Sequence, residues 1–235
     1  MSNECKPGSE IPGMLNEVFN TLGDSLDSIA EKFIFAHYLG QEAISPTAVQ
    51  PGRGPDGTQV FLDIRGRNTA DFIDFLGDNN TNVDKDLLKK LANLKDGGIR
   101  NPDFMNHRPS QSTFEYYEVK PNSTAGRGDG VAKMNQLDTF FGIFNLSHYK
   151  RGIHYVPDAT QDLWISTQGV METKVSLHWK KHQKGLIVYE ICIDTKIRAP
   201  KVSKEAQKNL ERSAWQTAVM VLIVIGSGIG SFVFD

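Results

Sequence analysis

An α+β fold is predicted by two features of this 235-residue chain: repeated changes of hydrophobic period and a long uncharged segment near its end. Apolar residues recur at three- and four-residue steps up to about residue 94. After Gly97-Gly98 they alternate, return once to helical spacing over Val131 to Phe144, and alternate again as far as Ile197. The expected chain has N-terminal helices, a central hairpin followed by a helix, extra C-terminal antiparallel strands and an apolar C-terminal tail.

Met1 to Glu10 reads as a loose end. Ile11 to Tyr38 places Met14, Leu15, Val18, Phe19, Leu22, Leu26, Ile29, Ala30, Phe33 and Ile34 on one stripe, as one amphipathic helix or a helical pair broken near Gly23. The Pro- and Gly-rich stretch Ile44 to Asp56 is a loop, and Val60 to Ile64 a short strand. Asn68 to Leu76 and Val83 to Leu94 are helices separated by a polar turn, Asn79 to Asn82, that offers N-caps to the second. Ile99 to Met105 and Thr113 to Lys120 form a hairpin about His107-Arg108-Pro109-Ser110. Pro121 to Gly130 reads as a polar connector, and Gly126 to Gly130 lacks the Lys-Ser/Thr of a phosphate-binding loop. Val131 to Phe144 is a helix and Ile153 to Val156 a strand. Leu163 to Ser166, Met171 to Lys180 and Leu186 to Ile197 are antiparallel strands, the last two meeting at the basic turn Lys180 to Gly185.

A net charge of −2 conceals a division. Residues 1–118 hold 11 Lys and Arg against 18 Asp and Glu, whereas residues 119–235 hold 15 against 10, so the second half is basic and could face a polyanion. Lys180, Lys181 and Lys184 are the candidate nucleic-acid contacts of the basic turn. Cys5 and Cys192 lie far apart, which argues against a disulfide framework and for a reducing compartment. Six scattered histidines without HxH or HxxxH spacing argue against zinc. No basic segment followed by an apolar core opens the chain, so no cleaved signal is expected.

Residues 214–234 are uncharged and just long enough to cross a bilayer as a helix. Lys196, Arg198, Lys201, Lys204, Lys208 and Arg212 precede them, as basic residues do on the cytoplasmic side of a span. The β-branched run followed by Gly226, Gly228 and Gly230 equally suits a buried element, so both readings stay open.

The chemistry centres on Asp103, which follows Pro102, and on Glu118-Val119-Lys120 fifteen to seventeen residues later. Residues two apart on a strand share a face, so Glu118 and Lys120 project together, and pairing of the two strands would bring Asp103 beside them. Adjacent carboxylates repel unless a cation lies between them. Two carboxylates and a backbone carbonyl, that of Val119, suffice for Mg²⁺ or Mn²⁺.

This pattern resembles the PD-(D/E)xK nuclease superfamily, with the restriction-endonuclease-like fold, over roughly Val83 to Val156. It looks most like the replication- and repair-type branch and the polymorphic-toxin or effector branch, where a polar loop and a helix carrying Lys and Gln follow the ExK strand; here these are Lys133 and Gln136. The resemblance implies a core of mixed sheet flanked by helices, and a Mg-dependent endonuclease hydrolysing phosphodiester bonds of DNA, with RNA an open alternative. It assigns Asp103, Glu118 and Val119 to the metal, Lys120 to catalysis, Gln136 to an auxiliary catalytic role and Lys133 to phosphate. Asp84 and Asp86 are the candidates for the acidic residue that a preceding helix supplies in some members, and a strand before the Asp-bearing one is not evident.

On this reading residues 1–80 form an N-terminal helical region, 81–198 the nuclease domain with added strands, and 199–235 a basic linker and tail. A bacterial effector toxin acting in the cytoplasm, exported or held at the inner membrane by its tail, would need an immunity protein as partner. The alternative is a non-catalytic, tail-anchored membrane protein with a soluble binding or scaffolding domain. Oligomeric state is not legible in the sequence.

Overall fold

The computed structural model describes residues 2–7, 26–63, 69–92, 100–168 and 171–197. The fold is α+β, with helices on both faces of a mixed sheet. Strand β1 (Ser2–Lys6) precedes helix α1 (Leu26–Gln41), and β2 (Gln59–Leu62) precedes α2 (Thr69–Asn79) and α3 (Lys85–Ala92). Then come β3 (Phe104–His107), β4 (Glu115–Pro121), α4 (Thr124–Ile143) and the two-residue β5 (Lys150–Arg151). Three long strands, β6 (Asp158–Gln168), β7 (Met171–Gln183) and β8 (Leu186–Ile197), complete the described chain. Residues 11–25 of the expected N-terminal helix, and the expected basic linker and apolar tail, lie outside the described residues. No described helix is long and apolar enough to cross a membrane.

The sheet runs β2-β3-β4-β8-β7-β6, with β1 on β8 and β5 on β4. β2, β3 and β4 form an antiparallel meander, and β4 then pairs in parallel with β8. A parallel neighbour requires a crossover, and α4 belongs to that connection. Two sequence expectations change here. β2 is the strand before the Asp-bearing one, pairing Leu62 with Phe104. Ile153 to Val156, expected as a strand, has no strand pairing and is held by the buried Glu115 carboxylate, and the strand parallel to the Glu118 segment is β8. Glu115 Oε1 accepts from the Ile153 amide at 2.8 Å and meets His154 Nδ1 at 2.8 Å, while Oε2 accepts from the Tyr117 hydroxyl at 2.6 Å.

Alternation along the strands builds two cores. Val60, Phe104, Tyr117 and Val119 face α1, together with Trp179, Ile187 and Tyr189. Phe61, Met105 and Tyr116 face α2 and the Met134-Leu137-Phe141 stripe of α4. Trp179 and Tyr189 are therefore packing residues here, each about 98–99% buried. Residues on both sides of position 80 share these cores, so the N-terminal helices and the central strands bury one another.

The glycine-containing stretch after β4 is not a connector. α4 begins at Thr124, with the Ser123 hydroxyl accepting from the Gly126 amide at 2.9 Å as N-cap. The glycines lower helix propensity but admit close packing. A Cβ on Gly126 would meet the Pro121 carbonyl oxygen at 2.4 Å, and one on Gly130 the buried Leu186 at 2.6 Å, whereas Gly128 has open space. Gly126→Ala is expected to destabilise the fold by about 1–3 kcal/mol through overpacking against backbone. Gly128→Ala should instead stabilise it by up to about 1 kcal/mol through helix propensity. Urea midpoints moving in the same direction for both would contradict this packing.

The cysteines also depart from expectation. β1 pairs antiparallel with β8, setting Cys5 opposite Cys192, and the two form a disulfide. Their distance in sequence carried no information about distance in space, because β8 is the strand on which the N-terminal segment closes.

Candidate active site

Asp103 precedes β3 and pairs with the β4 rung that carries Glu118. The register Phe104 with Tyr117 places Asp103 opposite Glu118, and the Asp103 amide donates to the Tyr117 carbonyl at 3.1 Å. Cross-strand partners share a face, so the two carboxylates converge. Glu118 is fully buried and Asp103 is 6% exposed. Asp103 Oδ2 accepts from the Val119 amide at 2.6 Å, a bond that fixes the carboxylate relative to the next strand.

Two ammonium groups neutralise the pair. Lys120 Nζ lies 2.5 Å from Glu118 Oε1 and 3.6 Å from Asp103 Oδ2, and donates to the Val119 carbonyl at 3.0 Å. Lys133, from the α4 face above β4, lies 2.8 Å from Glu118 Oε2 and 3.1 Å from Asp103 Oδ1. Asp103, Glu118, Val119, Lys120 and Lys133 are thus brought to one point. Gln136, one turn beyond Lys133, lines the same open cleft of about 580 Å³, with Asp63, Arg100, Asn101, Asp129 and Ala132. Lys180, Lys181 and Lys184 do not line it; they are exposed, the first two on the end of β7 and Lys184 in the tight turn to β8, so the expected basic turn is mostly strand.

The electrostatics follow from burial. Desolvation opposes ionisation of Asp103, but Lys133, Lys120 and the Val119 amide together outweigh it and hold the carboxyl below its usual range. Glu118 is pushed up to about 7, by burial first and then by the Asp103 charge, against the pull of both lysines. Burial works against the charge of Lys133 as well, yet Asp103 and Glu118 raise its pKa.

A further acid comes from the opposite face of the sheet. Glu31 on α1 is pushed up to about 9, chiefly by burial and next by repulsion from Asp103, with Glu118 and Asp27 adding to it and Lys120 opposing. Asp84 and Asp86, the sequence candidates for a helix-borne acid, are exposed and do not line the cleft: Asp84 caps α3, accepting from the amides of Asp86 and Leu87 at 3.0 Å. Glu31 was missed because its helix packs on the far face from α4. The available signal was a carboxylate beside the Ala30–Ile34 stripe, on a helix with little solvent-facing charge. Asp63 was missed too; it follows β2 on the Asp103 rung, its amide donating to the Asp103 carbonyl at 2.8 Å.

The residues fit a hard divalent cation. Neither Glu118 oxygen has an aligned hydrogen-bond donor, although both lie against ammonium groups, and the Val119 carbonyl adds a third hard oxygen donor to the two carboxylates. Among the described residues, the group of three side chains whose ligand atoms lie within 4.8 Å of one another is Cys5, Glu190 and Cys192, and with both sulfurs committed to the disulfide it offers no comparable site. No family model, curated protein or solved structure matches the chain.

Proposed function

We propose that the chain is a divalent-metal-dependent nuclease of the PD-(D/E)xK, restriction-endonuclease-like type, acting on phosphodiester bonds of DNA. One observation carries this reading: Asp103, the residue before β3, lies opposite Glu118 of β4, with the Lys120 ammonium against both carboxylates. The order of helix, antiparallel meander, crossover helix and parallel strand formed by α1, β2-β3-β4, α4 and β8 supports it. Asp103, Glu118 and the Val119 carbonyl would hold Mg²⁺ or Mn²⁺. When bound, the ion supplies Lewis-acid stabilisation of phosphoryl charge and a water of lowered pKa. Lys120 neutralises charge beside the attacked phosphate, and Gln136 and Arg100 line the cleft as hydrogen-bond donors to substrate oxygens. Glu31, largely protonated near neutrality, keeps the buried cluster from accumulating a third full negative charge. The Cys5–Cys192 disulfide supports passage through an oxidising compartment, as export of an effector would entail.

Plasmid DNA incubated with the full chain and Mg²⁺ should be nicked or degraded, and Lys120→Ala should lose this activity while keeping its circular dichroism. Full activity in that variant would remove the site, and cleavage of RNA with intact plasmid would reassign the substrate.

The raised pKa of Glu118 also gives a pH signature. Its folded value of about 7 exceeds the ordinary 4.5, so the stability linked to its protonation is present at low pH and is lost as pH rises through 7. Divalent ions bind the ionised form. The melting-temperature rise on adding Mg²⁺ is therefore expected to be larger near about pH 8.5 than near about pH 5.5. A pH-independent rise would contradict Glu118 as a ligand.

A further inference from the structure

The four carboxylate oxygens of Asp103 and Glu118 divide into two pairs. Asp103 Oδ2 and Glu118 Oε1 face the Lys120 ammonium at 3.6 and 2.5 Å, whereas Asp103 Oδ1 and Glu118 Oε2 face that of Lys133 at 3.1 and 2.8 Å. Each ammonium therefore bridges both carboxylates, and the site has two cation positions. Two-metal phosphodiesterases place two ions about 3.5–4 Å apart in a shared carboxylate clamp. We infer that this site takes a single divalent ion, and that the Lys133 ammonium serves permanently as its second cation. The inference rests on the nuclease reading above and adds the ion count to it.

The two positions are not equivalent. That of Lys120 includes the Val119 carbonyl, giving three hard oxygen donors, the set a small divalent ion requires. Lys120 reaches it by folding back on its own strand, and its side chain is 23% exposed, so its ammonium can turn toward the open cleft. Lys133 is 14% exposed and projects from the middle of α4, which Met134, Leu137 and Phe141 pin to the sheet. Removing its ammonium from both carboxylates would strand a buried charge, a costly exchange.

The test uses the full chain. Mn²⁺ binding is counted by electron paramagnetic resonance of the free ion, and lysine acylation with and without saturating Mg²⁺ is read by mass spectrometry, with exposed Lys180 as the reference. One Mn²⁺ per chain, lost in Asp103→Asn, is expected, with Lys133 staying protected when Mg²⁺ is added. Two Mn²⁺ per chain, both requiring Asp103, would overturn the inference and leave the nuclease reading intact. Acylation of Lys133 at the rate of Lys180 in Mg²⁺ would overturn it in the same way. No Mn²⁺ bound, or binding unaltered in Asp103→Asn, would sink the nuclease reading and the inference with it.

Discussion

Asp103→Asn is expected to reduce plasmid cleavage in Mg²⁺ by about 100-fold or more, the scale on which a single charge-stabilising group counts in an active site. The substitution is nearly isosteric, and an amide oxygen can still accept from the Val119 amide that Asp103 Oδ2 now engages at 2.6 Å. What it removes is one negative charge from a cluster in which Glu31, Asp103 and Glu118 face two lysines. Glu118 should then ionise more readily, because the Asp103 charge is the second-largest cause of its raised pKa. The metal-free fold should melt at a somewhat lower temperature, because a carboxyl held below its usual range stabilises the fold when ionised, and relief of Glu118 offsets part of that loss. Loss of cleavage in a variant that stays folded separates a functional carboxylate from a structural one. A variant that cleaves at the native rate would show that Asp103 is not a metal ligand, and one that unfolds would show that its charge is needed for the fold.

The second large effect lies far from the cleft. Opening the Cys5–Cys192 disulfide, by reduction or by Cys192→Ser, should lower unfolding free energy by about 5 kcal/mol in the chain-entropy picture, since the bond closes a very long loop. The sequence separation is 187 residues. β1 covers Ile191 to Thr195 of β8 along the same edge that β4 covers from Leu186 to Tyr189. Without the covalent tie, the five-residue β1 is held against the entropy of a freed N-terminus by non-covalent contacts, its ladder with β8 among them. Urea melts with and without reductant measure the loss. Coincident curves would mean that non-covalent contacts anchor β1 without the disulfide.

Local order along the chain is legible to the extent that local interactions create it. Leu186 to Ile197 appears in the sequence with the bounds it has in the structure, because uninterrupted alternation with a glycine-containing turn before it leaves no competing reading. The pair of helices before the hairpin is legible for the same reason. Gly126 to Gly130 is not. Glycine spacing argues for a loop, and the compensating gain, close approach of α4 to Pro121 and Leu186, involves residues as far as about sixty positions away. Ile153 to Val156 misleads in the opposite direction. Its apolar residues suit a strand, but the place beside β4 is taken by β8, and the Glu115 carboxylate satisfies the backbone of the excluded segment.

Sequence by itself determined the chemical inventory and its local geometry. Asp103, Glu118 and Lys120 are there, with the last two on one strand face because side chains alternate every residue. Only the tertiary structure decided the company they keep. The register of β3 on β4 sets Asp103 opposite Glu118, α4 lowers Lys133 between their free oxygens, and α1 brings Glu31 from the other face. The N-terminal strand finds its cysteine partner 187 residues away in the same manner. The physical reason is common to all four: side-chain direction is set by neighbouring residues, whereas strand register, helix docking and loop closure depend on contacts between distant segments that no local pattern encodes.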